Sequence, residues 1–148
     1  MNTKLVFLNK SEELYHNLNT IESKSTLIIV DSNLSFLEIE NYVNHKIAYL
    51  SITEGEKNIK SVERIWNLLF ENGLDRSSKV LIIGGGVLLD IAAFACSTFK
   101  RGITYTLIPS TLLGMVDAAH GGINGFNNEF GKNQIGTISL PHEVVICF

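Results

Sequence analysis

Three consecutive glycines and the aspartate that follows them have the residue types and spacing to bind a phosphate. The glycines, residues 84–86, lie between an apolar run at 80–83 and a largely apolar stretch that begins at residue 87. Glycines allow positive φ angles and let backbone N–H groups approach a ligand, and a helix beginning here adds unpaired N–H groups and its positive dipole end. Asp90, one turn into that helix, either stabilises the dipole or accepts a hydrogen bond from a ligand hydroxyl. Because the spacing GGGxxxD differs from the usual dinucleotide fingerprint, a plain strand-to-helix turn is the alternative.

Polar side chains also follow two other predicted strands. Asp31 and Asn33 come directly after one apolar run, and Glu54 and Lys57 lie in the loop after the next. Ligands of open α/β sheets bind at the carboxyl ends of strands, so these residues are candidates for one site with the glycine turn. The structural alternatives are capping of a predicted helix at 34–43 by the first pair and an ordinary solvated loop for the second.

Hydrophobic periodicity predicts the elements that position these residues. Apolar runs of strand length occur at 4–8, 26–30, 46–50, 80–83, 104–108 and 143–148. Helical patterns occupy 11–19, the stretch after the glycine turn, and the segment containing Val62, Ile65, Trp66, Leu69 and Phe70, which Gly73 ends. The alternation of strands and helices predicts an α/β fold, with one domain over residues 1–148 and a doubly wound, mostly parallel sheet.

The last third of the chain differs in composition. After Ser110 and Thr111, a short apolar segment at 112–116 ends at Asp117, and a stretch rich in Gly and Asn follows. Because Gly and Asn tolerate positive φ angles, this stretch predicts a hairpin or an irregular functional loop. The final strand has nothing after Phe148, which we interpret as the sign of a missing further domain.

Composition argues against several classes of function. A hydrophobic fraction of 45%, a charged fraction of 18% and a net charge of −3 are typical of a globular domain without a basic surface for nucleic acid. No apolar run reaches the roughly 18–20 residues of a membrane span and no signal peptide is evident, which predicts a cytoplasmic protein with no membrane partner. Cys96 and Cys147 are expected to be buried thiols. Neither a catalytic triad nor a metal site is predicted around the four histidines, His16, His45, His120 and His142.

Three segments resemble the N-terminal half of 3-dehydroquinate synthase: GGGVLLDIAAFACSTFKRG, IPSTLLGMVDAAHGG and GKNQIG. With the DSN turn and the EGEK loop, the resemblance spans residues 26–148 and includes the wider sugar phosphate cyclase family, such as 2-deoxy-scyllo-inosose synthase and 2-epi-5-epi-valiolone synthase. It implies the Rossmann-like NAD-binding domain of a lyase of aromatic amino acid biosynthesis. The family's divalent metal, zinc or cobalt, would be held by a helical domain absent from this chain. In the synthase itself, a phosphorylated seven-carbon keto acid is oxidised, loses phosphate, is reduced again and closes its ring by an aldol step, and the family is usually dimeric.

The resemblance also implies roles for single residues. Cofactor-binding residues would be Asp31, Asn33, Glu54, Lys57, Gly84, Gly85, Gly86, Val87, Asp90, Ser110, Thr111, Asp117 and Lys132. Residues that contact the substrate or bridge it to the cofactor would be Arg101, Asp117, Lys132 and Asn133. The adenosine is expected near Asp31 and Asn33, and the pyrophosphate at the glycines. Since no metal ligand falls in this chain, the 148 residues alone are expected to catalyse nothing.

Two residues depart from the family pattern. The chain has GGIN where the family has GGKT, so Ile123 replaces a lysine that reaches the substrate, and Leu89 replaces a glycine. These departures keep two further hypotheses open: a related cyclase with another sugar phosphate substrate, and a non-catalytic NAD-binding paralogue. An iron-type alcohol or glycerol dehydrogenase is a third hypothesis, against which the RG and GKN segments argue.

Overall fold

A six-stranded parallel sheet forms the centre of the molecule. The computed structural model describes residues 3–21, 25–118 and 121–148, and His120 lies outside them. The strands of the sheet are β1 (Lys4–Leu8), β2 (Thr26–Asp31), β3 (Lys46–Leu50), β4 (Lys79–Gly84), β5 (Thr104–Pro109) and β8 (Glu143–Cys147). Their order is β1-β8-β5-β4-β2-β3, and every neighbouring pair is parallel. The predicted α/β fold is confirmed.

Helices cover both faces of this sheet, which is why its central strands are apolar along their whole length. On one face, α2 (Ile59–Glu71) and α3 (Gly86–Thr98) pack against Leu27 and Ile29 of β2. On the other face, α1 (Ser11–Asn19) packs with its Leu14 and Leu18 against a second core cluster. None of the helices in the described part of the chain is long and apolar enough to cross a membrane.

Helix α2 begins and ends at residues whose chemistry favours helix termini. The Asn58 side chain accepts a hydrogen bond from the Lys60 N–H, which satisfies one unpaired donor of the first turn. After the helix, Gly73 has φ +71°, a conformation that glycine adopts without strain. Among the apolar residues that predicted this helix, Phe70 is not buried. It is 60% exposed, and its ring packs edge-on against Phe99.

The helix predicted at 34–43 is wrong. Two short 3₁₀ segments, Ser32–Leu37 and Ile39–Asn41, occupy this region, and Glu38 between them has φ +42°. Leu37 packs against the second core cluster and Ile39 is fully buried in it. Residues two apart point to nearly opposite sides of an α-helix, so the break at Glu38 is what lets both side chains face the core.

The last third contains the predicted hairpin. Strands β6 (Ile123–Asn128) and β7 (Gly131–Ile138) pair antiparallel, with a register shift between Phe126 and Asn128. Phe126 anchors the hairpin to α3, because its ring packs edge-on against Phe94. The apolar segment before the hairpin runs into a π-helical turn, Gly114–Ala118. Leu112 of this segment is 76% exposed, whereas Met115 is partly buried against the core.

Candidate functional site

The carboxyl ends of four neighbouring strands bring the predicted polar residues to one edge of the sheet. Asp31 ends β2, and the loop after β3 holds Glu54 and Lys57. The end of β4 is tied to the segment after β5 by a hydrogen bond of 2.9 Å from the Ser110 N–H to the Gly84 carbonyl. The prediction that these residues share one edge of the sheet is confirmed.

None of the three glycines of the turn, residues 84–86, has a positive φ angle. Gly85 precedes α3 with φ −82° and ψ 173°, and the glycines with positive φ lie elsewhere in the described chain. The positive φ angles that these glycines allow are therefore not used at the turn. Close packing explains Gly84 instead, because a Cβ atom there would lie 2.8 Å from the Leu88 Cδ2 atom and 3.2 Å from the Asp31 Cβ atom.

The start of α3 can bind an anion. The first N–H groups of an α-helix have no acceptor within the helix, and the dipole of this 13-residue helix adds partial positive charge at its start. Its first turn contains no acidic residue that would compete for these donors. A Cβ atom on Gly85 would approach the Thr111 Cγ2 atom to 3.4 Å, so the glycine leaves the backbone accessible between the two segments. This geometry fits a phosphate or pyrophosphate.

Lys57, Asp90 and Asn133 form the charged centre of the site. The Lys57 ammonium lies 2.6 Å from Asp90 Oδ2 and 2.7 Å from Asn133 Oδ1. Lys57 is only 5% exposed, so the solvated-loop alternative does not hold for this residue, whereas Glu54 of the same loop is exposed. Two roles were predicted for Asp90, stabilising the helix dipole or accepting a hydrogen bond from a ligand hydroxyl. Neither includes this ion pair with Lys57. The contact joins the loop after β3, helix α3 and the hairpin.

Burial and charge act on Asp90 in opposite directions. Burial raises the pKa of the Asp90 carboxyl group, and it outweighs the hydrogen bond and positive charge of Lys57, which lower that pKa. The negative charges of Asp117 and Glu54 raise it further. The carboxylate therefore accepts protons and hydrogen bonds more readily than an exposed aspartate does.

Asn127, which the sequence analysis missed, fastens the hairpin to the loop after β3. Its N–H donates to the Lys57 carbonyl at 2.7 Å, and its Nδ2 group donates to Glu54 Oε1 at 3.0 Å. The Asn127 hydrogen bond is the largest cause of the lowered pKa of Glu54. The Lys132 ammonium lies 3.7 Å from the same Glu54 oxygen. The only signal in the sequence was the Gly- and Asn-rich composition, which does not specify a partner.

Four other predicted cofactor residues take no part in the contact of Lys57 with Asp90 and Asn133: Asp31, Asn33, Thr111 and Val87. Asp31 accepts a hydrogen bond from the Asn33 N–H at 2.9 Å and so caps the 3₁₀ segment Ser32–Leu37, not the helix predicted at 34–43, while Asn33 is exposed. Thr111 Oγ1 accepts from the Gly114 N–H at 3.1 Å and starts the turn before Asp117. Val87 is partly buried against the first core cluster.

Arg101 is the predicted residue that the structure does not bring to this group. It follows α3 and precedes β5, at the amino-terminal edge of the sheet, with φ +71°. It lines a cavity of about 960 Å³ there, together with Arg76 and His142. Asp117 is exposed on the π-helical turn, and its charge acts on Asp90 at the carboxyl edge.

The described residues contain no group of three or more His, Cys, Asp or Glu side chains that could hold a metal ion. The zinc or cobalt implied by the resemblance therefore has no fitting ligands among them.

The chain is similar to known proteins in both sequence and structure. The family model of the 3-dehydroquinate synthase N-terminal domain matches residues 47–148. The 3-dehydroquinate synthase of Prochlorococcus marinus (strain AS9601) is 38% identical over 146 residues, which cover 93% of this chain and 40% of that enzyme. The chain thus spans about two fifths of the length of this relative.

Two solved structures share the fold. The 2-epi-5-epi-valiolone synthase of Streptomyces hygroscopicus subsp. jinggangensis 5008, with NAD⁺ and Zn²⁺ bound, has a TM-score of 0.88 and 27% identity, over 99% of this chain and 43% of that enzyme. A 2-deoxy-scyllo-inosose synthase has a TM-score of 0.82 and 21% identity, over 96% of this chain and 43% of that enzyme, a likeness of fold alone.

Proposed function

This chain belongs to the 3-dehydroquinate synthase family, and we propose that it is the NAD-binding domain of a 3-dehydroquinate synthase-like cyclase, a lyase that eliminates phosphate from a phosphorylated sugar acid. The observation that carries the proposal is the convergence of the glycine turn with Lys57, Asp90 and Asn133 at the carboxyl edge of the sheet. An open backbone beside a buried, polar charge cluster suits a ligand with both phosphates and hydroxyl groups.

The residues of the edge suit successive parts of NAD. The N–H groups at Gly85 and Gly86 would donate to the pyrophosphate, and the Asp31 carboxylate would accept from the adenosine ribose. Asp90 and Lys57, held by each other, would orient the hydroxyls of the second ribose. When bound, NAD supplies the acceptor and donor of hydride for the oxidation and reduction steps.

The side chains at the open side of the site would act on the substrate. Lys132 is 76% exposed and Asp117 is also exposed, so both can reach a ligand that lies over the cofactor. Lys132 would pair with an anionic group and Asp117 would accept from a hydroxyl. Asn133, fixed by Lys57, would add an amide contact between them.

We also propose that the protein acts as a homodimer. Arg101 lies at the opposite edge of the sheet, so it cannot reach the substrate of its own chain at the glycine turn. A guanidinium group from a second copy would be needed to add this cation to the site.

A non-catalytic NAD-binding paralogue is the second candidate, and Ile123 is the observation that favours it. Ile123 is 69% exposed beside the charge cluster, at a position where a lysine would supply a cation to the substrate. The two candidates are separated by an assay of this chain joined to a helical metal-binding domain, with NAD and zinc or cobalt present. A cyclase releases phosphate from the phosphorylated seven-carbon keto acid, and a non-catalytic paralogue does not. The 148 residues alone are expected to release no more phosphate than an Asp117→Ala, Lys132→Ala variant.

Calorimetric titration of the chain with NAD and NADP tests the cofactor assignment. Because the Asp31 carboxylate would repel a 2′-phosphate, we expect NADP to bind at least about ten-fold more weakly than NAD. An Asp31→Asn variant should lose most of this discrimination and keep its fold. Equal affinities for NAD and NADP in the unaltered chain contradict the placement of the adenosine.

A further inference from the structure

A cavity of about 200 Å³ lies between α3 and the hairpin, next to the charge cluster. Asp90, Asn133 and Thr137 supply its polar side, and Ile123 and Ile138 supply an apolar side. Ile123 and Ile138 are direct partners across β6 and β7, so their side chains lie next to each other. They are 69% and 87% exposed, which makes them an apolar pair at the surface beside a polar wall.

No cation lines this cavity among the described residues. The ammonium group of Lys57, which contacts two residues of the lining, is already paired. Asp90 is the only charged residue of the lining. Lys57 donates to Asp90 at 2.6 Å and to Asn133 at 2.7 Å, so its positive charge is matched by the carboxylate. Lys132, the next cation of the hairpin, lies 3.7 Å from Glu54, on the side of the loop after β3.

An anion placed in this cavity would be poorly stabilised. It would leave water for a space whose own charge is the Asp90 carboxylate, and it would find no free cation there among the described residues. Removing an unpaired charge from water is unfavourable. An uncharged group with hydroxyls would be stabilised there. Its hydroxyls can bond to the carboxylate, amide and hydroxyl groups of one wall, and the two isoleucines can cover its carbon face. The volume is below the roughly 300–1,000 Å³ of sites for larger ligands, which fits a single ring.

We propose that Ile123 determines substrate specificity: the cavity under the hairpin takes an uncharged, hydroxyl-bearing carbon ring and rejects a phosphate or carboxylate at that point. This inference rests on the proposed function, since it names the part of a sugar-like substrate that faces the cluster. The anionic groups of such a substrate must then bind elsewhere.

Amide chemical shifts of the ¹⁵N-labelled chain test this inference with two probes, myo-inositol and inorganic phosphate. We expect myo-inositol to shift the amides of Gly125, Gly136 and Thr137, and phosphate at the same concentration to leave them unchanged. The Ile123→Lys variant should bind phosphate at these amides about ten-fold more tightly or better, because a hydrogen-bonded charge pair becomes possible. It should bind myo-inositol more weakly.

The control is Ile135→Lys, which adds the same charge to the same hairpin outside the cavity lining. Ile138→Lys places the charge in the cavity from the facing strand and replaces Ile123→Lys if that variant does not fold. The inference is overturned if phosphate binds the unaltered chain as tightly as myo-inositol, if neither probe binds, or if Ile135→Lys gains as much phosphate affinity as Ile123→Lys. It is also overturned if saturating NAD displaces myo-inositol from these amides, because the ring would then occupy the ribose site at Asp90. NAD is titrated separately at the amides of the glycine turn, so loss of NAD binding alone counts against the proposed function and leaves the specificity result standing.

Discussion

Replacing Lys57 by methionine removes the cation of the charge cluster while keeping most of the apolar stem. In the native protein the Lys57 ammonium lies 2.6 Å from Asp90 Oδ2, with 5% of the lysine side chain and 20% of the aspartate side chain exposed. Removing one partner of a buried ion pair costs about 3–5 kcal/mol, because the remaining charge is left without compensation. Since Asp90 keeps some contact with water, we expect Lys57→Met to lower the free energy of unfolding by about 3 kcal/mol at pH 7.

The pH dependence of this loss follows from the pKa of Asp90. Burial already raises that pKa, and Lys57 is the main influence that lowers it, so the variant should have a still higher pKa in the folded state. In the unfolded chain the pKa returns to about 3.9. A group that binds its proton more tightly when folded stabilises the folded state at low pH, and this contribution is lost as the pH rises through the folded pKa. The deficit of Lys57→Met should therefore shrink to about 1 kcal/mol at pH 4, close to the value of one lost hydrogen bond.

Urea unfolding followed by the fluorescence of the single tryptophan, Trp66, measures both values. The matched control is Lys60→Met, an exposed lysine at the start of α2, which should change stability by less than about 0.5 kcal/mol. The double variant Lys57→Met, Asp90→Asn should be more stable at pH 7 than Lys57→Met alone, since no unpaired charge remains. A deficit below 1 kcal/mol at pH 7, or one that is equal at pH 4 and pH 7, refutes this explanation of the cluster.

Two further predictions concern the hairpin and the thiols. Gly136→Ala should destabilise the protein by about 1–3 kcal/mol in urea unfolding, because the new Cβ would overlap the carbonyl of the facing strand, whereas the control Gly55→Ala meets nothing closer than 3.9 Å. Burial raises the pKa of both thiols, and Cys96 is fully buried, so a thiol reagent at pH 8 should modify only Cys147, slowly and faster at higher pH, until the protein is unfolded. Rapid modification of Cys96 in the folded protein contradicts this burial.

Local sequence patterns predicted most of the fold because its elements obey simple periodicities. The central strands are short apolar runs, and α2 has an apolar stripe with an asparagine before it and a glycine after it. Strand ends also predicted where the candidate residues lie, since the carboxyl ends of parallel strands must meet at one edge. The helix prediction at 34–43 failed because the partly buried Leu37 and the buried Ile39 would lie on opposite sides of an α-helix, and only tertiary packing shows that both face the core.

Contacts between distant segments account for what the sequence did not predict. Lys57 and Asn133 are 76 residues apart, and Asn127 is 73 residues from the glutamate that it binds. The hairpin brings these residues to the loop after β3, and no periodicity in either segment indicates the pairing. The requirement for glycine at residue 84 also depends in part on a distant residue, because a Cβ atom there would meet the side chains of Leu88 and Asp31.

The assignment of the glycine turn as the pyrophosphate site of NAD is tested by calorimetric titration of NAD into the Gly85→Val variant and into the unaltered chain. The new side chain would cover the N–H groups at the start of α3, and its Cβ would make only an ordinary contact of 3.4 Å with Thr111, so the fold should persist by circular dichroism. We expect the unaltered chain to bind NAD and the folded Gly85→Val variant not to bind it. Unchanged NAD affinity in the folded variant would contradict the assignment of the glycine turn as the pyrophosphate site.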